Sequence, residues 1–258
     1  MPTTRIIGTI ISLAMFFAYS PVKAAGNSNA GLLSAQLISN GHSFNLPVQA
    51  RLSNARPAPY NQKLVIAAYN KNLYLSSGAQ ALKLSAAASG INEQIISNGI
   101  TVDAIAATGN TNVAKLNLKL TVTDANNHET TLLQIDVSKL QTSSSYDLVF
   151  PSFITTAGAA SFGNITVSGQ LIAGTSSAPV SYSGSPDVNY PLYSSPDLTI
   201  TLNNQLVELL ISCTIGSVGC EDTPVSISTQ AVNINFNNAN IAGKLFTGQI
   251  VIGETRAE

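Results

Sequence analysis

Few residues in this chain could carry chemistry. His42 and His128 are the only histidines, Cys213 and Cys220 the only cysteines, and tryptophan is absent. His128-Glu129-Thr130-Thr131-Leu132 opens like the zinc-protease signature H-E-x-x-H, but Leu132 stands where the second ligand must be. It also follows Asn126-Asn127, a turn pair, whereas that signature needs a helix. A serine hydrolase could draw its base from His42 or His128, because triads assemble across a fold. The abundance of serine singles out no nucleophile, and no G-x-S-x-G elbow, phosphate loop or dinucleotide fingerprint occurs. Asp103, Asp124, Asp136 and Asp147 are dispersed, and Glu221-Asp222 reads as a solvated loop. The expectation is a non-enzyme with no cofactor and no metal, the alternative being a secreted hydrolase dependent on His42 or His128.

Cys213 and Cys220 enclose Thr-Ile-Gly-Ser-Val-Gly, a loop that Gly216 and Gly219 let turn tightly. Six intervening residues are the wrong spacing for a redox C-x-x-C, and no histidine is near enough in sequence to complete a zinc site. A structural disulfide is expected, adding roughly 2–3 kcal/mol for a loop of about eight residues. The remaining candidate is Thr175–Pro196, where Pro179, Pro186, Pro191 and Pro196 mix with Tyr182, Tyr190 and Tyr193 among Ser, Gly and Asp. Proline excludes a central strand, so this segment is expected to be an ordered surface loop or flap. Its tyrosines either form an adaptable ligand-binding loop or cover a sheet face or edge, and the covering role is favoured.

These residues must be positioned by an exported chain. Residues 1–24 have the layout of a secretory signal peptide: Arg5, an apolar stretch Ile6–Ala18, and the cleavage pattern Val22-Lys23-Ala24. Thirteen apolar residues are too few for a bilayer span, which needs about 20. No later segment is expected to span, and no sorting tail is read after Ile252. The mature protein is placed outside the cell or on its surface, with the periplasm as a further compartment. Removing Arg5 and Lys23 from twelve basic residues leaves ten against thirteen acidic ones, a net charge of −3. That balance gives no footprint for nucleic acid. Expected partners are a second copy or another surface protein.

Charged residues make up only 10% of the chain, against about 25% in ordinary soluble domains. Apolar residues recur at a period of two in many short runs: Leu33/Ala35/Leu37, Phe44/Leu46/Val48, Val113–Val122, Leu133/Ile135/Val137, Ile165/Val167 and Val225–Phe236. Leu64–Tyr69 and Leu73–Leu75 read as a hairpin turning at Asn70-Lys71-Asn72. Asn98-Gly99, Gly109-Asn110 and Asn126-Asn127 read as further turns. Helix competes at Gln80–Ala88 and Asn204–Leu210, with strand favoured at the former. Gly26–Ala30 reads as a loose lead-in, and Gln141–Ser145 and Ala157–Ser161 as flexible joints. The fold class expected is all-β: an antiparallel β-sandwich or barrel-like domain of many short strands. Residues 25–258 form a single domain, with a candidate sub-boundary near 141–161. Val225–Phe236, low in charge, is the edge strand expected to support self-assembly.

Thr199-Ile200-Thr201-Leu202-Asn203-Asn204-Gln205, Val232–Phe236 and Gly248–Gly253 resemble the bacterial choice-of-anchor P family of surface proteins, as do Ile100–Thr108 and Val167-Ser168-Gly169. The resemblance implies an exported β-rich module whose members differ in how they are tethered to the envelope, and it brings no active site. Together these features predict a non-catalytic structural or adhesive surface protein, with a self-assembling fibre or matrix subunit as a close variant.

Overall fold

The computed structural model describes residues 27–39, 42–53, 59–76, 81–98, 104–124, 126–149, 153–172, 178–213, 220–241 and 244–258. The segment expected to be a signal peptide lies outside them. The described chain is all-β: two antiparallel sheets stacked as an open sandwich. The first contains β1 (Ser28–Ser39), β2 (His42–Gln49), β3 (Leu52–Ser53), β10 (Tyr190–Ser194), β11 (Leu198–Cys213), β12 (Cys220–Ile241) and β13 (Lys244–Ala257). Its order is β10-β11-β12-β13-β1-β2, with β3 beside β1. The second is a meander, β4 (Tyr60–Ser76), β5 (Ala81–Ser97), β6 (Ala104–Thr123), β7 (Glu129–Val149), β8 (Phe153–Ser168) and β9 (Val180–Gly184). Strand β1 lies over β5 and β6, β13 over β6 and β7, and β12 over β7 and β8.

Several expected breaks are continuous strand. Asn70-Lys71-Asn72 is interior to β4, Gly109-Asn110 to β6, and both Gln141–Ser145 and Ala157–Ser161 pair with each other inside β7 and β8. Ala81–Ala88 and Asn204–Leu210 are strand, and the lead-in is already paired, Ser28 opposite Ala257. Asn126-Asn127 does turn, with Asn127 at φ 61°. Gly99 lies outside the described residues. Val225–Phe236 is not an edge: β12 is flanked by β11 and β13.

The reason alternation looked broken is a kink line running across both sheets. Inward positions in β5 are Leu82, Leu84, Ala86 and Ala88, then Ile91, Glu93, Ile95 and Ser97. In β7 they are Leu133, Ile135 and Val137, then Leu140, Thr142, Ser144 and Tyr146. Strands β1, β6, β8, β12 and β13 switch in the same way, while register on either side of the line is kept. Each strand therefore spends one residue crossing the line. In alternate strands that residue is left-handed: Gly90 (φ 62°), Lys139 (49°), Asn203 (49°) and Gly253 (63°). Gly and Asn accept this conformation cheaply, but Lys139 does not.

The line divides the interior into two unlike halves. On one side the sheets are separated by large apolar side chains, among them Leu84, Leu118, Leu120, Leu133, Ile135 and Phe236, all at most 2% exposed. On the other, Leu32, Ile91, Ile95, Leu140 and Phe162 are also buried, but among them lies a patch of small residues, Ala107, Thr111, Ser144, Thr229, Thr255 and Ala257, where the sheets approach closely at Gly109 and Gly158. A Cβ on Gly109 would sit 2.5 Å from the Asn29 carbonyl oxygen and 3.1 Å from that of Arg256. Only glycine lets the backbones of β6, β1 and β13 meet there.

Candidate functional site

The tyrosine segment is not a free loop. Val180–Gly184 and Tyr190–Ser194 are short edge strands, β9 on the second sheet and β10 on the first, and Pro191 is tolerated because β10 is an edge. Tyr182 and Tyr190 bring their rings together with centroids 5.0 Å apart and planes tilted by 46°. Their strands belong to opposite sheets, so the pair clasps one margin of the sandwich. Tyr193 donates its hydroxyl to the Leu171 carbonyl at 3.3 Å. All three rings pack half-buried against the core, which is the covering role weighed from sequence.

The two histidines are placed separately. His42 opens β2 opposite Ser39, and its side chain lies outside the described residues. His128 sits at the β6–β7 turn with its side chain 80% exposed and Nδ1 3.6 Å from Asp124 Oδ2. The same carboxylate accepts the Asn126 and His128 backbone amides at 2.8 and 2.9 Å, which fixes the turn. Among the described residues no serine hydroxyl bonds to His128. Cys213 and Cys220 are direct cross-strand partners in β11 and β12. Opposed antiparallel residues hold their Cα atoms about 4.5–5.5 Å apart, within the span a disulfide bridges. The thiols themselves, and the loop 214–219, lie outside the described residues. Glu221 and Asp222 belong to β12, opposite Ser212 and Ile211, rather than to a loop.

Sequence reasoning passed over Glu93. It lies between Ile91 and Ile95 on the inward side of β5 and is completely buried. Burial pushes its carboxyl up to about 8, opposed by a contact with the Leu52 backbone that falls short of a regular hydrogen bond to either oxygen. Glu93 is opposite Thr111, and Thr111 is opposite Thr142. Both threonine hydroxyls are also buried without a hydrogen-bond partner. Two residues along β7, Ser144 Oγ lies 2.9 Å from Thr229 Oγ1, 2.8 Å from Thr255 Oγ1 and 3.0 Å from the Thr255 carbonyl oxygen. A polar row thus crosses the thin half of the sandwich, unsatisfied at the Glu93 end and satisfied at the Ser144 end. Sealed from solvent, Glu93 cannot reach a substrate. What it can do is couple proton uptake to folding. The signal available in the sequence was its place in the Ile91-x-Glu93-x-Ile95 alternation, which puts an acid on an apolar face.

One accessible surface with polar groups is the outer face of the second sheet. A groove of about 530 Å³ there has a floor of small side chains, Ala68, Ala87 and Ser89, beside Lys115, Asn117 and Asp136. Asp136 is held by Asn117 Nδ2 at 2.6 Å and Gln134 Nε2 at 2.7 Å. Compared with known proteins, the chain matches no family model, no curated sequence and no solved structure.

Proposed function

We propose that this is an exported, non-catalytic structural or adhesive protein of the cell surface, held together by the sandwich and making contact through its outer faces. The observation that carries this reading is the outer face of the second sheet, where amide and hydroxyl side chains and Lys115 border a shallow open groove with an alanine floor and Asp136 pinned at its side. Groups fixed in this way contact a hydrated polymer at little entropic cost. The signal-peptide pattern of residues 1–24 and the resemblance to choice-of-anchor P proteins support the same reading, and the facing positions of Cys213 and Cys220 fit an oxidising compartment.

The test is fractionation of the producing cell, with mass analysis of the N-terminus and protease treatment of intact cells. The expected outcome is a chain beginning after Ala24, accessible from outside, whose two thiols can be alkylated only after reduction. Loss of the gene or Asp136→Ala should reduce surface adherence. A cytosolic chain retaining residues 1–24, with both thiols free, would overturn the proposal.

A further inference from the structure

The four margins of the sandwich are unequal. The first sheet ends in β10, five residues with Pro191, and in β2, which contains Pro47. The second ends in the five-residue β9, clasped through Tyr182, and in β4. Strand β4 is seventeen residues long without a proline, and among the described residues it pairs only with β5. Short strands, prolines and edge lysines are how proteins blunt an edge. Three margins carry a short strand or a proline, whereas β4 has neither and carries only Lys63 and Lys71.

The kink line identifies what fits β4. Inward-phase positions are Gln62, Leu64 and Ile66 before the line and Tyr69, Lys71 and Leu73 after it, Lys71 reaching solvent, while Val65 and Tyr74, 66% and 64% exposed, point outward. The switch falls at Ala67/Ala68, the middle of the strand. A partner with unbroken alternation would match faces over half of β4 and oppose them over the rest. An antiparallel second copy of β4, related by a two-fold axis between Ala67 and Ala68, matches throughout. It sets Ile66 opposite Tyr69 and Gln62 opposite Leu73 on the inner face, and Val65 opposite Asn70 and Asn61 opposite Tyr74 on the outer. In a strand of L-residues the face of a side chain fixes the direction of its backbone N–H and C=O, so this register also aligns donors with acceptors. Lys63 and Lys71, the strand's only charged residues, fall opposite Asn72 and Leu64 and never opposite each other.

We propose that the β4 edge is a homodimer interface, joining the second sheets of two copies into one twelve-stranded sheet with two-fold symmetry. Such a contact is isologous and closed, so it yields a dimer and not a fibre. It stands independently of where the protein resides.

The test uses the mature chain from Ala25 in light scattering and sedimentation, together with cysteine cross-linking. Wild type should be a dimer. Asn61→Cys and Tyr74→Cys chains should cross-link when mixed, beyond the background of wild type, and neither should do so alone. The double variant Val65→Lys/Asn70→Lys, which opposes lysines twice on exposed positions, should weaken dimerisation about tenfold with an unchanged circular dichroism spectrum. A monomer at every soluble concentration, open-ended polymers, or a dimer that ignores both the cross-linking pattern and the lysines would overturn the proposal.

Discussion

The two halves of the sandwich, on either side of the kink line, solve the same packing problem with opposite materials. One fills the gap between sheets with leucine, isoleucine and phenylalanine; the other keeps some of these, Ile91, Ile95 and Leu140 among them, but closes the gap around Gly109, where alanine, serine and threonine surround a meeting of backbones. The first gains from apolar area removed from water. The second also buries hydroxyls, which must find one another or remain unsatisfied. Ser144, Thr229 and Thr255 succeed, whereas Glu93, Thr111 and Thr142 do not. Stability should therefore be concentrated in the thick half and sensitivity to solution conditions in the thin one.

This contrast breaks most visibly at Phe236. Truncation to alanine in the thick half should cost about 3–5 kcal/mol in denaturant unfolding, as for other buried phenylalanines. If the loss were no larger than that of a thin-half substitution, the division of labour would fail. Glu93 gives the next effect. Its carboxyl is raised in the folded state to about 8 from an ordinary 4.5, so the folded protein holds a proton that the unfolded chain releases between those values. Stability attached to this group is complete below 4.5 and falls as pH rises towards 8, at most about 1.4 kcal/mol per pH unit. Glu93→Gln should flatten that slope, read as unfolding midpoints across pH 5 to 8. An unchanged slope would mean that the acid is solvated after all.

Gly109→Ala should overpack the thin half and cost about 1–3 kcal/mol, since backbone carbonyls and not flexible side chains stand in the way. The same substitution at Gly184, whose added Cβ meets nothing within 4 Å, carries only the backbone strain of φ 103° and serves as the control. The smallest effect is expected from Ser144→Ala, about 1 kcal/mol, because Thr229 and Thr255 can rotate towards each other once the serine hydroxyl is gone. A loss several times larger would show that the satisfied end of the polar row anchors the half.

The all-β sandwich was legible because alternation survives over most strands, Val113–Val122 and Leu133–Val137 being clear cases. What misled was the length of those strands. At 16–22 residues in β4–β8, β11 and β12, they far exceed the usual five or six, and each changes phase at the kink line. Asn70-Lys71-Asn72, Gly109-Asn110 and Gln141–Ser145 carry turn-forming residues near a phase change, and local propensity alone reads such a point as a turn. The tyrosine pair Tyr182–Tyr190 was found as a group but not as a clasp, because its role depends on two sheets meeting. Glu93 was hidden differently. A lone acid on an apolar stripe looks like a solvated charge until the opposing sheet is in place.

The pairing of β1 with β13 has a consequence for how the chain reaches this form. Asn27 and Glu258 exchange backbone hydrogen bonds at 2.9 Å, so the first described strand waits for the last. The second sheet, whose neighbours all follow one another in sequence, can assemble from local contacts as it emerges. The first sheet cannot, because β13 is the strand that joins β1 and β2 to β10–β12. Folding rate falls as contacts become more distant in sequence, which makes arrival of residues 244–257 the committing event. A chain halted before them would present a finished second sheet beneath an interior of exposed leucines and isoleucines, the form most apt to aggregate or to be degraded.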